Sequence, residues 1–150
     1  MAYVHIAHDC IIGNHCILSN AVQVGGHVKV DDYVTIGGTA AIHQFVHIGK
    51  YSMVGGGSLV RKDIPPYIKA AKDPIRYCGV NSVGLRKRGF KIKQINIIQE
   101  IYYNIFQKNM PYIEAVNYVE NNISISEEKD EIINFIKNSA RGILKKNELL

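Results

Sequence analysis

Residues 5–16 read HIAHDCIIGNHC, with three histidines and two cysteines inside twelve positions. Metal ligation, disulfide bonding and acid–base catalysis all draw on these residue types. Local spacing does not choose among them, because the stretch belongs to a longer repeat that determines which side chains meet. Aliphatic residues recur at every sixth position: Ile6, Ile12, Leu18, Val24, Val30, Ile36, Ile42, Ile48, Val54 and Val60. Glycine follows the aliphatic residue at 13, 25, 37, 49 and 55, and a small or aliphatic residue stands four positions after each one, beginning Cys10, Cys16, Val22, Val28 and Val34. A six-residue beat sustained over ten units fits neither the helical period nor simple strand alternation. It is the signature of a hexapeptide parallel β-helix.

In such a fold three hexads make one coil of a triangular prism, the repeated aliphatics point inward, and successive coils bond to one another at about 4.8 Å. Glycine suits the tight corners, where positive φ or close backbone approach is needed. Cys10 and Cys16 take the small inward position and are expected to be reduced, buried thiols. Together with Cys78 they are odd in number and lack the paired spacing of a zinc or redox motif.

Residues eighteen apart then lie above one another, which stacks His8, Gly26 and Gln44 in one file, flanked by His27 and His43, with His5 on the same coil as His8. His15 and His47 fall elsewhere and are expected on the solvated surface. The clustered histidines read in three ways: polar residues sharing an outer face, a zinc site as in β-helical carbonic anhydrases, or an acid–base centre. An imidazole is the side chain best poised to take up a proton near neutral pH.

The chain is 47% hydrophobic over 150 residues, enough for one globular unit or two small ones. No charged leader precedes a short apolar core, and no apolar run nears the ~20 residues of a membrane span, so a cytoplasmic chain is expected. The net charge of +5 is concentrated: residues 61–93 carry ten basic and two acidic side chains. That segment reads as a docking face for an anionic partner. Nucleic acid is not expected there, because Phe90 alone does not interleave the charges with stacking aromatics.

The stretches HIAHDC (5–10), GGHV (25–28), IHQF (42–45), MVGGGS (53–58), DIPPY (63–67) and GLRKRGF (84–90) resemble the hexapeptide-repeat acyltransferases, and closely the family of UDP-N-acetylglucosamine acyltransferases that begins lipid A biosynthesis. The resemblance implies a left-handed parallel β-helix with a small α-helical C-terminal domain, assembled as a homotrimer with active sites between neighbours. It also implies acyl carrier protein as donor, UDP-N-acetylglucosamine as acceptor, and neither metal nor cofactor. By the same resemblance His8 is the general base, Asp9 orients or charge-stabilises it, and the Gly26 N–H supplies the oxyanion hole. His5, His27, His43 and Gln44 line the pocket, Asn81 meets the uracil, and Lys87 and Arg88 meet phosphates or the acidic carrier. Gly56 closes the end of the acyl groove, and glycine there leaves room for a long 3-hydroxyacyl chain. Two positions depart from the family pattern. Val83 stands where a glutamate is common and Lys87 replaces a commoner arginine, which gives up bidentate geometry and is expected to reduce nucleotide affinity.

Consecutive prolines at 65 and 66 end the β-helix, giving coils over 1–64, a loop and basic connecting segment over 65–90, and helices over 91–150. Ile92, Ile95, Ile98, Ile101, Ile105 and Phe106 mark a first amphipathic helix. Pro111 suits the first turn of a second helix, with Ile113, Val116 and Val119 along one side. Ser124 or Ser126 caps a third, with Glu127, Glu128, Asp130 and Glu131 at its positive end, Lys145 and Lys146 near its close, and Ile132, Ile133, Phe135, Ile136, Ile143 and Leu144 on its apolar side. Because Ile6 already lies within the repeat, further coils are expected upstream of it in acyltransferases of this type. Two other function classes fit a chain of this length: a non-catalytic binding or assembly module, and a related acyltransferase acting on another amino sugar.

Overall fold

The computed structural model describes residues 1–145. Ten two-residue strands follow in sequence: β1 (His5–Ile6), β2 (Ile11–Ile12), β3 (Ile17–Leu18), β4 (Gln23–Val24), β5 (Lys29–Val30), β6 (Thr35–Ile36), β7 (Ala41–Ile42), β8 (His47–Ile48), β9 (Met53–Val54) and β10 (Leu59–Val60). They stack in parallel with an eighteen-residue register, His5 on Gln23 and Ile11 on Lys29, for example. Three faces result: β1-β4-β7-β10, β2-β5-β8, and β3-β6-β9. The second residue of each strand points inward, so Val24, Val30, Ile36, Ile48, Val54 and Val60 are sealed from solvent. Burying each such side chain stabilises the fold by roughly 1.5–3 kcal/mol. The fold is the parallel β-helix expected from the repeat, with the left hand that the family resemblance implies.

The corners differ from the expectation in one respect. Positive φ falls on non-glycine residues three positions after each inward aliphatic: Asp9, His15, Ala21, His27, Tyr33, Thr39, Phe45 and Tyr51, with Gly57 the one glycine of the series. That conformation costs about 1–2 kcal/mol per residue, and a hydrogen bond to the coil beneath offsets it. The N–H of His27 donates to His8 O at 3.0 Å, that of Tyr33 to Asn14 O at 2.9 Å, and that of Phe45 to Gly26 O at 3.0 Å. The glycines after the aliphatics serve close approach instead: a Cβ on Gly37 would stand 2.4 Å from the Gly56 nitrogen.

Cys10 and Cys16 are free thiols in the inward position, each Sγ lying 3.1 Å from a carbonyl one coil above, Gly25 O and Asp31 O respectively. At the second corner, which follows β2, β5 and β8, the rings of His15, Tyr33, Tyr51 and Tyr67 stack one above another at 4.8–5.9 Å.

The prolines break the register without making a loop. Face three continues through β11 (Ile68–Ala71), whose Lys69 pairs with Met53, sixteen residues away rather than eighteen. An antiparallel β12 (Arg76–Val80) then closes that edge. The first part of the segment expected as loop and connection over 65–90 therefore extends the sheet. It leads into α1 (Ser82–Lys87), α2 (Ile92–Tyr102) with a π-helical turn at Tyr103–Gln107, α3 (Tyr112–Asn122) and α4 (Glu127–Asn138).

Ile95, Ile98, Ile101, Ile105 and Phe106 are buried as expected, whereas Ile92 and Ile113, at the first turns of their helices, face solvent. Pro111 stands one place before α3, as its cap residue. Ser126, not Ser124, caps α4, its Oγ accepting from the Lys129 N–H at 3.1 Å. That helix stops at Asn138, so Ile143 and Leu144 belong to a separate strand-like segment beside Asp63, and Lys145 lies beyond the helix rather than at its close. Lys146 lies outside the described residues.

Asp63 joins the two halves. It is 3% exposed, and its carboxylate accepts the His47 N–H at 2.8 Å and the Ser139 hydroxyl at 2.5 Å. His47, expected on the solvated surface, is half-buried: its Nε2 lies 2.8 Å from Asp31 and its ring packs on Phe135 of α4 at 4.5 Å. The hydroxyl of Tyr102 donates to Pro66 O at 2.6 Å beneath a cluster with Tyr77 and Phe106.

Burial raises Tyr77 to about 12 and holds Tyr67 and Tyr102 well above the usual phenol range. A phenol favoured in its neutral form by the fold contributes stability fully below its ordinary value, and that contribution is lost as pH rises through the folded value. Thermal melts are expected to fall between about pH 10 and pH 12, with phenolate absorbance from these three tyrosines appearing together with unfolding; early, reversible ionisation of all tyrosines in the folded chain would contradict their burial.

Candidate active site

The first corner gathers residues from three successive coils because β1, β4 and β7 pair in register, which brings 7–9, 25–27 and 43–45 one above another. His8 Nδ1 lies 2.9 Å from Asp9 Oδ2, and His27 Nε2 lies 3.9 Å from the same oxygen. An ionised carboxylate only accepts, so Asp9 fixes the neutral His8 tautomer with its proton on Nδ1 and leaves Nε2 free to accept one. The hydrogen bond to His8, with the nearby His27 adding to it, holds the Asp9 carboxyl below its usual range. The anion that orients the imidazole therefore persists at any pH where the imidazole is neutral.

The His8 and His27 rings meet edge to face at 5.0 Å, and His27 stacks on Phe45 at 4.9 Å. Gly26 lies directly above His8, where a Cβ would stand 2.9 Å from both His8 Cε1 and Nε2. A side chain there would push the exposed His8 ring aside, which costs the fold little but moves the imidazole. His43 opens to solvent with its Nδ1 3.1 Å from the Gln44 carbonyl, and Gln44 is exposed beside it. His5 projects from β1, on the strand that leads into this corner. His8, Asp9 and His27 also present three donor atoms within 4.8 Å of one another, so the corner can hold either a shared proton or a divalent cation.

The remaining expected residues lie elsewhere. Asn81, Lys87 and Arg88 line a groove of about 610 Å³ with Tyr33, Tyr51, Met53 and Lys69, along face three and the second corner. Asn81 caps α1 and spends one side-chain N–H on the Tyr51 carbonyl at 3.0 Å. The Arg88 guanidinium sits 4.9 Å over the Tyr33 ring, and Val83 borders the groove as an exposed apolar side chain. Gly56 belongs to the third corner, against the Gly38 carbonyl of the coil below. The structure thus unites His5, His8, Asp9, Gly26, His27, His43 and Gln44, and sets Asn81, Lys87 and Arg88 at another corner. Sequence reasoning missed Tyr33, Tyr51 and Phe45, although their place at the positive-φ position of the repeat is a signal that could have found them.

Residues 63–144 match the family model described as UDP N-acetylglucosamine O-acyltransferase, domain 2. The chain belongs to the UDP-N-acetylglucosamine O-acyltransferase family. Curated acyltransferases named for an acyl-carrier-protein donor and UDP-N-acetylglucosamine, from Halorhodospira halophila and Neisseria gonorrhoeae, are 39% and 40% identical over 145 residues, 97% of this chain. The chain spans 56% of the length of each of these relatives. The solved UDP-N-acetylglucosamine acyltransferase of Bacteroides fragilis superposes with a TM-score of 0.93 at 42% identity, over 95% of this chain and 56% of its own. That of Francisella novicida gives 0.94 at 34% identity, over 99% of this chain and 54% of its own.

Gly26→Ala is expected to leave the β-helix folded while pushing the His8 ring off the Gly26 backbone. Imidazole NMR signals of His8 and His27 should move while the melting transition keeps its cooperativity; unmoved His8 signals would refute the close packing.

Proposed function

We propose that this family member takes part in transfer of an (R)-3-hydroxyacyl group from acyl carrier protein to the 3-hydroxyl of UDP-N-acetylglucosamine, the first step of lipid A biosynthesis. The observation that carries this reading is the His8 imidazole, tied through Nδ1 to Asp9 with Nε2 against the Gly26 backbone. In the proposed step Nε2 takes the proton of the sugar hydroxyl as its oxygen attacks the thioester carbon. The resulting oxyanion is met by the Gly26 N–H. Collapse of the tetrahedral intermediate breaks the carbon–sulfur bond, and the leaving thiolate recovers the proton from His8, so the base is regenerated. Asp9 steadies the imidazolium between the two transfers, and His5, His27, His43 and Gln44 line the acceptor.

Asn81, Lys87 and Arg88 serve the nucleotide in this reading. Their position at a different corner from His8 supports a homotrimer in which one copy supplies the base and its neighbour the nucleotide groove. The relatives' names supply the donor and acceptor classes, and a cytoplasmic location follows from such substrates. No helix among the described residues is long and apolar enough to cross a membrane. The His8–Asp9–His27 trio favours one second reading, a cation-assisted reaction at the same corner. Turnover abolished by a chelator and restored by zinc would select it.

His8→Ala is expected to lower acyl transfer by roughly 10² to 10⁴-fold, measured with UDP-N-acetylglucosamine and acyl-carrier thioesters; full activity would remove His8 as base. Gly56→Met places a long side chain where even a Cβ would stand 3.2 Å from Gly38 O. That variant is expected to shift donor preference toward shorter acyl chains, and an unchanged preference across a graded series would defeat the role in length selection.

A further inference from the structure

The basic residues of 61–93 fall on two surfaces. Arg61, Lys62 and Arg76 surround one cavity, whereas Lys69, Lys87 and Arg88 line the groove at the second corner, whose lining includes no carboxylate. Arg88 forms no ion pair among the described residues. Its guanidinium lies instead 4.9 Å over the ring of Tyr33, which lines the same groove. A cation over an aromatic face is attracted by the ring quadrupole. A planar guanidinium resting on a ring does so without using its N–H donors, so the fork that matches two oxygens of a phosphate stays free.

Both partners are held from behind. Tyr33 stands at the positive-φ position of its corner, and its N–H donates to Asn14 O at 2.9 Å. Its ring is stacked between His15 at 4.9 Å and Tyr51 at 4.8 Å, with interplanar angles of 13° and 5°, so the ladder fixes the direction of the phenol. Arg88 closes α1, its N–H donating to Leu85 O at 3.1 Å, and Leu85 is fully buried. Two residues on, Phe90 meets Tyr51 edge to face at 4.9 Å, so the ladder that holds Tyr33 also holds the chain leaving Arg88. Lys87 is exposed and lies over no ring among the described residues. The two neighbouring cations therefore differ: Lys87 is a point charge on a flexible stem, and Arg88 is an aimed one.

We propose that Tyr33 is a positioning residue for the acceptor, its ring aiming Arg88 at the diphosphate of the nucleotide sugar. This rests on the reading of the groove as the nucleotide site and adds to it the residue that orients its arginine. The test titrates the isotope-labelled 150-residue chain with UDP and with uridine, following amide shifts and the Arg88 Nε–H signal. In the free chain that signal is expected to carry a ring-current shift from Tyr33 and to lose it in Tyr33→Leu. UDP is expected to bind more tightly than uridine, and Tyr33→Leu to cut that advantage by roughly three- to tenfold, the weight of one cation–π contact, with uridine affinity unchanged. Tyr33→Phe keeps the ring face and should keep the advantage. His15→Leu removes a ring of the same ladder that Arg88 does not rest on and should also leave it intact. In an Arg88→Gln background Tyr33→Leu should have no further effect. Should Tyr33→Leu fail to fold, Tyr33→His carries the same expectation, since histidine already occupies this corner position at 15 and 27 and offers a cation a weaker face than a phenol. An undiminished UDP advantage without the Tyr33 ring, an equal loss in His15→Leu, or a parallel loss of uridine binding would each overturn the positioning role while leaving the nucleotide reading in place. UDP binding no tighter than uridine in the unaltered chain would instead remove the phosphate-binding role of the groove, and the proposal with it.

Discussion

Everything in this molecule depends on coils keeping a constant length. A parallel ladder satisfies its backbone groups only when each N–H finds a carbonyl on the coil beneath. The inward aliphatics hold that register, because a slip of one residue would turn Val24, Val30 and Ile36 outward and leave polar groups in the prism. The left-handed residues at the corners are the local cost of this arrangement. Their N–H groups point at the coil below, as His27 does toward His8 O, so the strain and the bond that relieves it arise at the same residue. The site inherits this precision: His8 and Gly26 are neighbours because their strands pair, not because either side chain attracts the other.

Where the register changes, the molecule acquires its second half. The two prolines shorten one coil, β11 joins face three sixteen residues after its partner, and β12 reverses direction to close the sheet. The helices then pack on surfaces that this reversal creates. Tyr102 reaches back to Pro66, Lys129 of α4 caps the end of α3 through the Glu120 and Ile123 carbonyls, and Phe135 closes over His47. Asp63 sits at the junction, tying the last coil to the segment after α4 through both backbone and carboxylate. The same reversal carries α1 over the second corner, which is why the groove of Asn81, Lys87 and Arg88 and the imidazole corner lie apart in one chain.

The histidines illustrate how chemistry is assigned by surroundings. His8 is exposed and paired with a carboxylate that stays ionised, an arrangement suited to moving a proton. His47 also meets a carboxylate, Asp31, yet Phe135 covers it and its own N–H is bound to Asp63, so it fastens a helix to a sheet. His15 lies flat on Tyr33 at the foot of an aromatic ladder. These three histidines thus lie at separate structural positions and serve different ends.

The sequence by itself determined the prism, its eighteen-residue coil and the stacking of His8, Gly26 and Gln44, because a six-residue aliphatic repeat admits few other foldings and fixes lateral position by arithmetic. It also located most of the buried positions of the helices through their three-and-four spacing. It did not reveal β11 and β12, since prolines announce that a ladder is interrupted without saying that it resumes in a shifted register. Nor did it show that residues 61–93 serve two surfaces, or that His47 is covered, because both follow from where the reversed strand and α4 come to rest. Those are contacts between segments far apart in the chain, set by the packing of whole elements, and no local spacing encodes them.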